Sequence, residues 1–153
     1  MTYAEKTEVS SDRSRSEIER TLARYGASHF GYMSEPERAM VAFRKDGRHV
    51  RFLVPLPDRQ ARTFTHTPTG KVASPTAAQN GYEQAVRQRW RALALVVKAK
   101  LEAVETGIAT FEEEFYAYTV LPSGRTIFEE TSEQVAEQLA SGRPAPLMLE
   151  AAS

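Results

Sequence analysis

The sequence predicts a single α+β domain: a helix, a three-stranded antiparallel meander, a long helix, a second β-hairpin and a C-terminal helix. Three observations predict this fold class. A Ser-x-x-Glu pattern opens an amphipathic stretch at residue 14, an Asp-Gly pair separates two alternating segments, and apolar residues recur every three or four positions from 86 to 104. The length of 153 residues fits one domain that buries its own core.

The first helix is predicted to begin at Ser14 and Glu17, which fit a capping box in which each side chain accepts a hydrogen bond from the other residue's amide. Its buried face would consist of Ile18, Leu22 and Tyr25. Gly26 stands where a C-terminal capping glycine is expected. Residues 1–10 show no clear period and are predicted to form an arm or a short edge strand.

Three strands are predicted next, over Ser28–Met33, Ala39–Arg44 and His49–Leu56. Asp46 and Gly47 suit a two-residue hairpin turn, because both positions of such a turn need positive φ. The resulting register pairs apolar residues on one face, Phe43 with Val50 and Val41 with Phe52. On the other face it pairs Arg44 with His49 and Ala42 with Arg51. This alternation predicts a sheet that is covered on one side and exposes a basic face on the other.

Residues 58–81 are rich in Thr, Ala, Pro and Gly and predict a flexible or functional loop. A long helix is predicted from about Glu83 to Glu105. Its apolar stripe consists of Val86, Trp90, Leu93, Val97, Leu101 and Val104. A basic side of the same helix consists of Arg87, Arg91 and Lys98. Leu95 and Val96 lie off the stripe, which predicts a second contact with either the C-terminal segment of the same chain or a second copy in a homodimer.

Two interpretations stay open after the long helix, because Thr110 and Glu113 could cap a short helix or Phe111–Val120 could form one strand. The second hairpin is predicted from Tyr118–Leu121 and Arg125–Phe128.

The last helix is predicted from Thr131 to Ala140, with Val135 and Leu139 facing inward and Gly142 ending it. The Ala- and Pro-rich tail over 143–153 is predicted to be mobile.

Charge is segregated along the chain although the formal net charge is zero. Residues 38–100 carry thirteen basic and three acidic side chains, whereas residues 101–153 carry two basic and ten acidic ones. Residues 1–37 carry five basic and seven acidic side chains. Such segregation indicates either a directional field that attracts anions on one face, or two segments that fold together and neutralise each other.

The sequence lacks the residues that several kinds of catalysis and metal binding require. There is no cysteine, so thiol catalysis and cysteine-ligated metals are excluded. The histidines at 29, 49 and 66 are scattered without ligand-like spacing, and no phosphate-binding loop or nucleophile elbow is present. The acidic run Glu112–Glu114 is predicted to be a solvated patch rather than a metal site. No signal peptide or membrane-spanning run is found, which predicts a cytoplasmic protein without a cofactor.

Four stretches together resemble a group of small proteins of bacteriophages, prophages and integrated mobile elements that has no assigned activity. They are Arg15–Gly26, Gly47–Pro57, Arg89–Val104 and Val120–Thr126. The resemblance covers most of the chain and implies a role in phage DNA metabolism or defence. The order helix, three-stranded meander, helix is also similar to that of a double-stranded-RNA-binding domain.

The leading functional hypothesis is a non-enzymatic domain that binds the phosphate backbone of DNA or RNA with little sequence preference. The predicted contact residues are Arg44, Arg48, His49 and Arg51 on the exposed hairpin face, Arg59 and Arg62 in the loop, and Arg87, Arg91 and Lys98 on the long helix. One alternative is a protein–protein adaptor or inhibitor that docks through its acidic C-terminal third. A metal-dependent nuclease that uses Glu112–Glu114 is a third hypothesis.

Overall fold

The computed structural model describes residues 9–148, and within that range one antiparallel sheet is covered on one face by helices. The predicted arm over 1–10 and the end of the predicted tail lie largely outside the described residues. The helices are α1 (Ser11–Arg24), α2 (Arg62–Thr65), α3 (Pro75–Glu105), α4 (Phe111–Glu114) and α5 (Ile127–Ser141). The strands are β1 (Ser28–Ser34), β2 (Arg38–Lys45) and β3 (Arg48–Pro55). The α+β class is thereby confirmed.

Helix α1 begins earlier than the sequence predicts. Ser10 is its N-cap, with a side chain that accepts a hydrogen bond from the Arg13 amide. The capping box predicted at Ser14 is therefore wrong, and the Ser14 hydroxyl is buried without a hydrogen-bond partner among the described residues. The predicted end is confirmed, since Gly26 follows the helix with φ of 89°, a conformation that favours glycine.

The sheet has the order β1-β2-β3, and its β2–β3 hairpin has the predicted register. Asp46 and Gly47 have φ of 52° and 74°, as the two-residue turn requires. The predicted pairs are all present: Phe43 with Val50, Val41 with Phe52, Arg44 with His49, and Ala42 with Arg51. We call the face with the first two pairs the inner face, and the face with the last two pairs the outer face.

The core lies between the inner face and the layer formed by α1 and α3. The sequence predicts a core of nine apolar residues, and all nine are buried: Ile18, Leu22, Val41, Phe43, Val50, Phe52, Trp90, Leu93 and Val97. Tyr25, Val86 and Val104, which belong to the predicted apolar faces of the two helices, are partly buried against this core. Phe115, which the sequence prediction did not include, is fully buried and makes edge-on ring contacts with Phe43 and Phe52. The segment after α3 is therefore part of the same core.

Helix α3 begins eight residues before the predicted start, so residues 75–81 are its first two turns rather than part of a loop. The Ser74 side chain accepts a hydrogen bond from the Ala77 amide, and Pro75 occupies the first turn, where its missing N–H costs nothing. The remainder of the predicted loop contains α2 and a turn closed by a bridge between His66 and Val72.

The C-terminal third differs most from the prediction. Thr110 and Glu113 form the expected capping box of α4, so the single-strand alternative is wrong. A single bridge between Val120 and Thr126 replaces the predicted second hairpin. The sequence pattern failed here because Thr126 ends the turn as the N-cap of α5. The helix therefore begins at Ile127, four residues before the predicted start at Thr131.

The inward face predicted for the last helix is also wrong, since Val135 and Leu139 are exposed and no residue of α5 is buried. Gly142 does end the helix, as predicted. Among the described residues, none of the helices is long and apolar enough to cross a membrane.

Candidate nucleic-acid interface

A basic groove runs between α1 and α3 on the helical layer of the protein. Its charged lining consists of Arg13, Glu17, Arg20 and Arg24 from α1, and Arg91 and Lys98 from α3. The α1 residues are spaced by four, three and four positions, so they form one stripe along that helix. The groove has a volume of about 570 Å³. We call this feature the α1–α3 groove.

Positive charge predominates in the α1–α3 groove because five cations surround one carboxylate. Glu17 is paired with Arg91, with 2.5 Å between Oε2 and Nη1. Within residues 9–148, this is the only ion pair that the groove residues make. Among the described residues of the groove, four cations thus remain in excess, and an anionic ligand is the complementary partner.

The sheet residues predicted to contact nucleic acid do not share one exposed face. Arg48 lies on the inner side of the hairpin, opposite Lys45, and its guanidinium is 3.1 Å from a Glu112 carboxylate oxygen. Its predicted placement beside Arg44 is therefore corrected. Arg51 is on the outer face, but only 20% of its side chain is exposed.

The C-terminal segment covers Arg51 because the chain crosses the free edge of β3 and returns over the outer face. The Val120 amide donates to the His49 carbonyl at 2.8 Å at that edge. Beyond it, Arg51 donates to the Gly124 carbonyl at 2.9 Å and lies 3.4 Å from a Glu129 carboxylate oxygen. The acidic third of the chain thereby neutralises part of the basic sheet.

His49 makes a poor phosphate contact at neutral pH. Burial and the nearby Arg44 and Arg51 guanidinium groups lower the pKa of its imidazole below 6.5. Arg44 itself is exposed on the outer face. Of the four sheet residues predicted to contact nucleic acid, Arg44 is therefore the one that is exposed on the outer face as predicted.

The loop and helix residues divide between two places. Arg91 and Lys98 line the α1–α3 groove, and Arg87 lies one turn before Arg91, where it donates to the Gln84 side chain. Arg59 stacks on the Tyr82 ring, 4.0 Å from its centroid, in the segment that precedes α3. Arg62 is exposed on α2. The nine predicted residues therefore do not form one continuous surface.

Three groove residues were missed by the sequence prediction: Arg13, Arg20 and Arg24. They belong to the first 37 residues, whose charge sums to a negative value, and this average concealed them. The signal was their helical spacing, which places three arginines on one side of α1.

The three glutamates of α4 each have a separate structural role. Glu112 pairs with Arg48, Glu113 caps the helix and Glu114 pairs with Lys100 at 3.1 Å. Hydrogen bonds from the backbone amide and from the side chain of Thr110 lower the pKa of the Glu113 carboxyl. No group of three or more His, Asp or Glu side chains in residues 9–148 is arranged to hold a metal ion.

Comparison with protein-family models, with curated proteins and with solved structures gives no match.

Proposed function

We propose that the protein binds the phosphate backbone of nucleic acid through the α1–α3 groove. The observation that carries this proposal is the excess of four cations in one groove, on two helices that share the core. The two packed helices fix the backbone positions of these residues, so that only side chains must be ordered when an extended anion binds.

The dimensions of the groove suit a polymer better than a single small anion. Arg13 and Arg24 are eleven residues apart on α1, which corresponds to about 16 Å at a rise of about 1.5 Å per residue. Each strand of a duplex carries one phosphate per about 3.4 Å of helix axis, so a stripe that runs along the duplex spans several phosphates. A row of cations can therefore neutralise consecutive phosphates.

The groove offers charge but few groups that could distinguish bases. Its lining besides the charged residues is Val9 and Thr21. Long, flexible arginine and lysine side chains on phosphates position a nucleic acid without reading sequence, so little sequence preference is expected. DNA and RNA share this backbone chemistry, and binding assays with both distinguish them.

Salt dependence provides the first test. If four phosphates are neutralised, the slope of log K against log salt is about −3.6, and affinity falls roughly 150-fold between about 50 and about 200 mM salt. Fluorescence anisotropy with labelled DNA and RNA oligonucleotides measures this slope. Absence of binding to every oligonucleotide at about 50 mM salt would refute the proposal.

A matched pair of variants locates the site. Arg20→Ala combined with Arg24→Ala removes two groove charges and should reduce the slope to about half. The control, Lys71→Ala combined with Arg143→Ala, removes two exposed charges elsewhere and should leave the slope nearly unchanged. Equal effects of the two double variants would show that net charge, rather than the groove, determines binding.

A role in phage or mobile-element DNA metabolism is part of this proposal and is supported by the sequence resemblance alone. A cytoplasmic location likewise stays a prediction. The adaptor hypothesis has separate support, since α5 exposes Glu133 and Glu137 and packs mainly on the turn at Tyr116–Tyr118.

A further inference from the structure

We propose that α5 and the outer face of the sheet form an interface between two copies of this chain. Helix α5 exposes an apolar stripe in which Phe128, Val135 and Leu139 are 63%, 49% and 79% exposed. These three residues lie within about 40° of one another around the helix axis, at about 100° per residue. The stripe is the side of an amphipathic helix that normally faces a core.

The outer face carries a matching apolar row. Met33, Met40 and Leu53 are direct cross-strand neighbours on β1, β2 and β3. Met33 and Leu53 are 44% and 43% exposed. This row and the α5 stripe meet at a cavity of about 350 Å³ that is lined by both Leu53 and Phe128. The α5 stripe and the apolar row of the sheet therefore both begin at this cavity, and neither of them covers the other.

The charges around these surfaces indicate which partner fits. Helix α5 contains four glutamates and no basic residue, whereas the outer face carries Arg44, Arg51 and Arg38, the last of which pairs with Glu35. Arg51 already pairs with Glu129 of the same chain, which shows that the outer face accepts α5 carboxylates. A second copy supplies an α5 of the same composition to the rest of the outer face.

A two-fold arrangement satisfies both surfaces at once. If each α5 lies on the outer face of the other copy, each apolar stripe and each apolar row is covered, and the contact occurs twice. Pairing of the two α5 helices alone would leave both rows exposed and bring two acidic helices together. The proposed interface also explains how a helix without a buried residue is stabilised, since isolated helices of about 15 residues are marginal in water.

This interface differs from the homodimer predicted through α3. Val96, which belongs to that predicted contact, is 45% exposed on the helical layer, on the other side of the sheet. The proposed dimer leaves the α1–α3 groove of both copies free, because that groove also belongs to the helical layer. An experiment can therefore refute the proposed dimer without refuting the proposed nucleic-acid binding, and the reverse.

Light scattering after size-exclusion chromatography at about 100 μM protein tests the proposal, since a chain of 17.1 kDa should elute with twice that mass. Leu139→Glu on the stripe and Met33→Glu on the row should each halve the mass. Val72→Glu, at a residue that is 80% exposed elsewhere, should leave the dimer intact. Circular dichroism establishes that each variant is folded.

Three results would overturn the proposal. The first is a monomeric parent protein, whatever other partner the surface then binds. The second is a dimer that survives both Leu139→Glu and Met33→Glu. The third is a dimer that is broken by Val96→Glu and by neither of those two variants, which would place the interface on α3.

Discussion

Truncation of Phe115 tests whether the C-terminal third belongs to the core of the sheet. This side chain is fully buried, and its ring lies 4.8 Å from that of Phe111, 5.8 Å from that of Phe43 and 6.2 Å from that of Phe52, between centroids. Phe→Ala in a core costs about 3–5 kcal/mol, and each aromatic pair adds about 0.5–1.5 kcal/mol beyond its buried area. We therefore expect Phe115→Ala to reduce the free energy of unfolding by about 4–5 kcal/mol.

Urea denaturation measures this loss. With an m-value of about 2 kcal/mol/M, the midpoint should fall by about 2 M. Trp90 is the only tryptophan and is buried, so its fluorescence reports on the core, while circular dichroism reports on all the helices. The two signals should change together if the domain unfolds as one unit.

Ile108, in the turn between α3 and α4, provides the control, because it is 84% exposed. Ile108→Ala should change the free energy of unfolding by about 0.5 kcal/mol or less. If Phe115→Ala does not fold, Phe115→Leu keeps most of the volume and should cost about 1–1.5 kcal/mol. A midpoint shift below about 0.5 M for Phe115→Ala would refute the reasoning and separate the C-terminal third from the core.

Two further predictions concern the outer face. Arg51→Ala should lower the free energy of unfolding by about 1–3 kcal/mol, because it removes hydrogen bonds made by a charged group. Arg44→Ala should lower it by at most about 0.5 kcal/mol. Equal losses for the two variants in urea denaturation would contradict the burial of Arg51. Because the pKa of His49 is lowered on folding, its neutral form stabilises the protein above the unfolded pKa of 6.5, and stability declines as pH falls below that value toward the folded pKa. His49→Gln should therefore lose less stability than the parent between about pH 7.5 and about pH 5.5, and an unchanged pH profile would argue against the shift.

The fold class and the core could be predicted because they depend on local patterns. The turn at Asp46 and Gly47 determines which residues pair across the hairpin, and the alternation of apolar side chains then decides which face is buried. The apolar stripe of α3 predicted Trp90, Leu93 and Val97 in the same way.

The prediction of helix and strand boundaries was wrong where the same residues fit two kinds of secondary structure. Thr126 fits a strand by its β-branched side chain, and it is also a good N-cap with Glu129 three positions later. In the structure Thr126 forms the capping hydrogen bonds of α5, and a single bridge between Val120 and Thr126 stands in place of the predicted hairpin. Similarly, Ser74 and Pro75 form the start of α3, although the composition of the segment around them indicated a loop.

The sequence by itself determined that the chain forms an α+β domain, that nine named apolar residues are buried in its core, and that its charge is segregated along the chain. Only the tertiary structure decided which charges remain available. Helical spacing places Arg13, Arg20 and Arg24 on one side of α1, but only the packing of α1 against α3 brings Arg91 and Lys98 beside them. Conversely, Arg51 is basic in sequence and nearly neutralised in the fold, since Glu129, which is 78 residues further along the chain, lies beside it. Coulomb interactions depend on distance in space, and a pattern along the chain reports that distance only within one helix or hairpin.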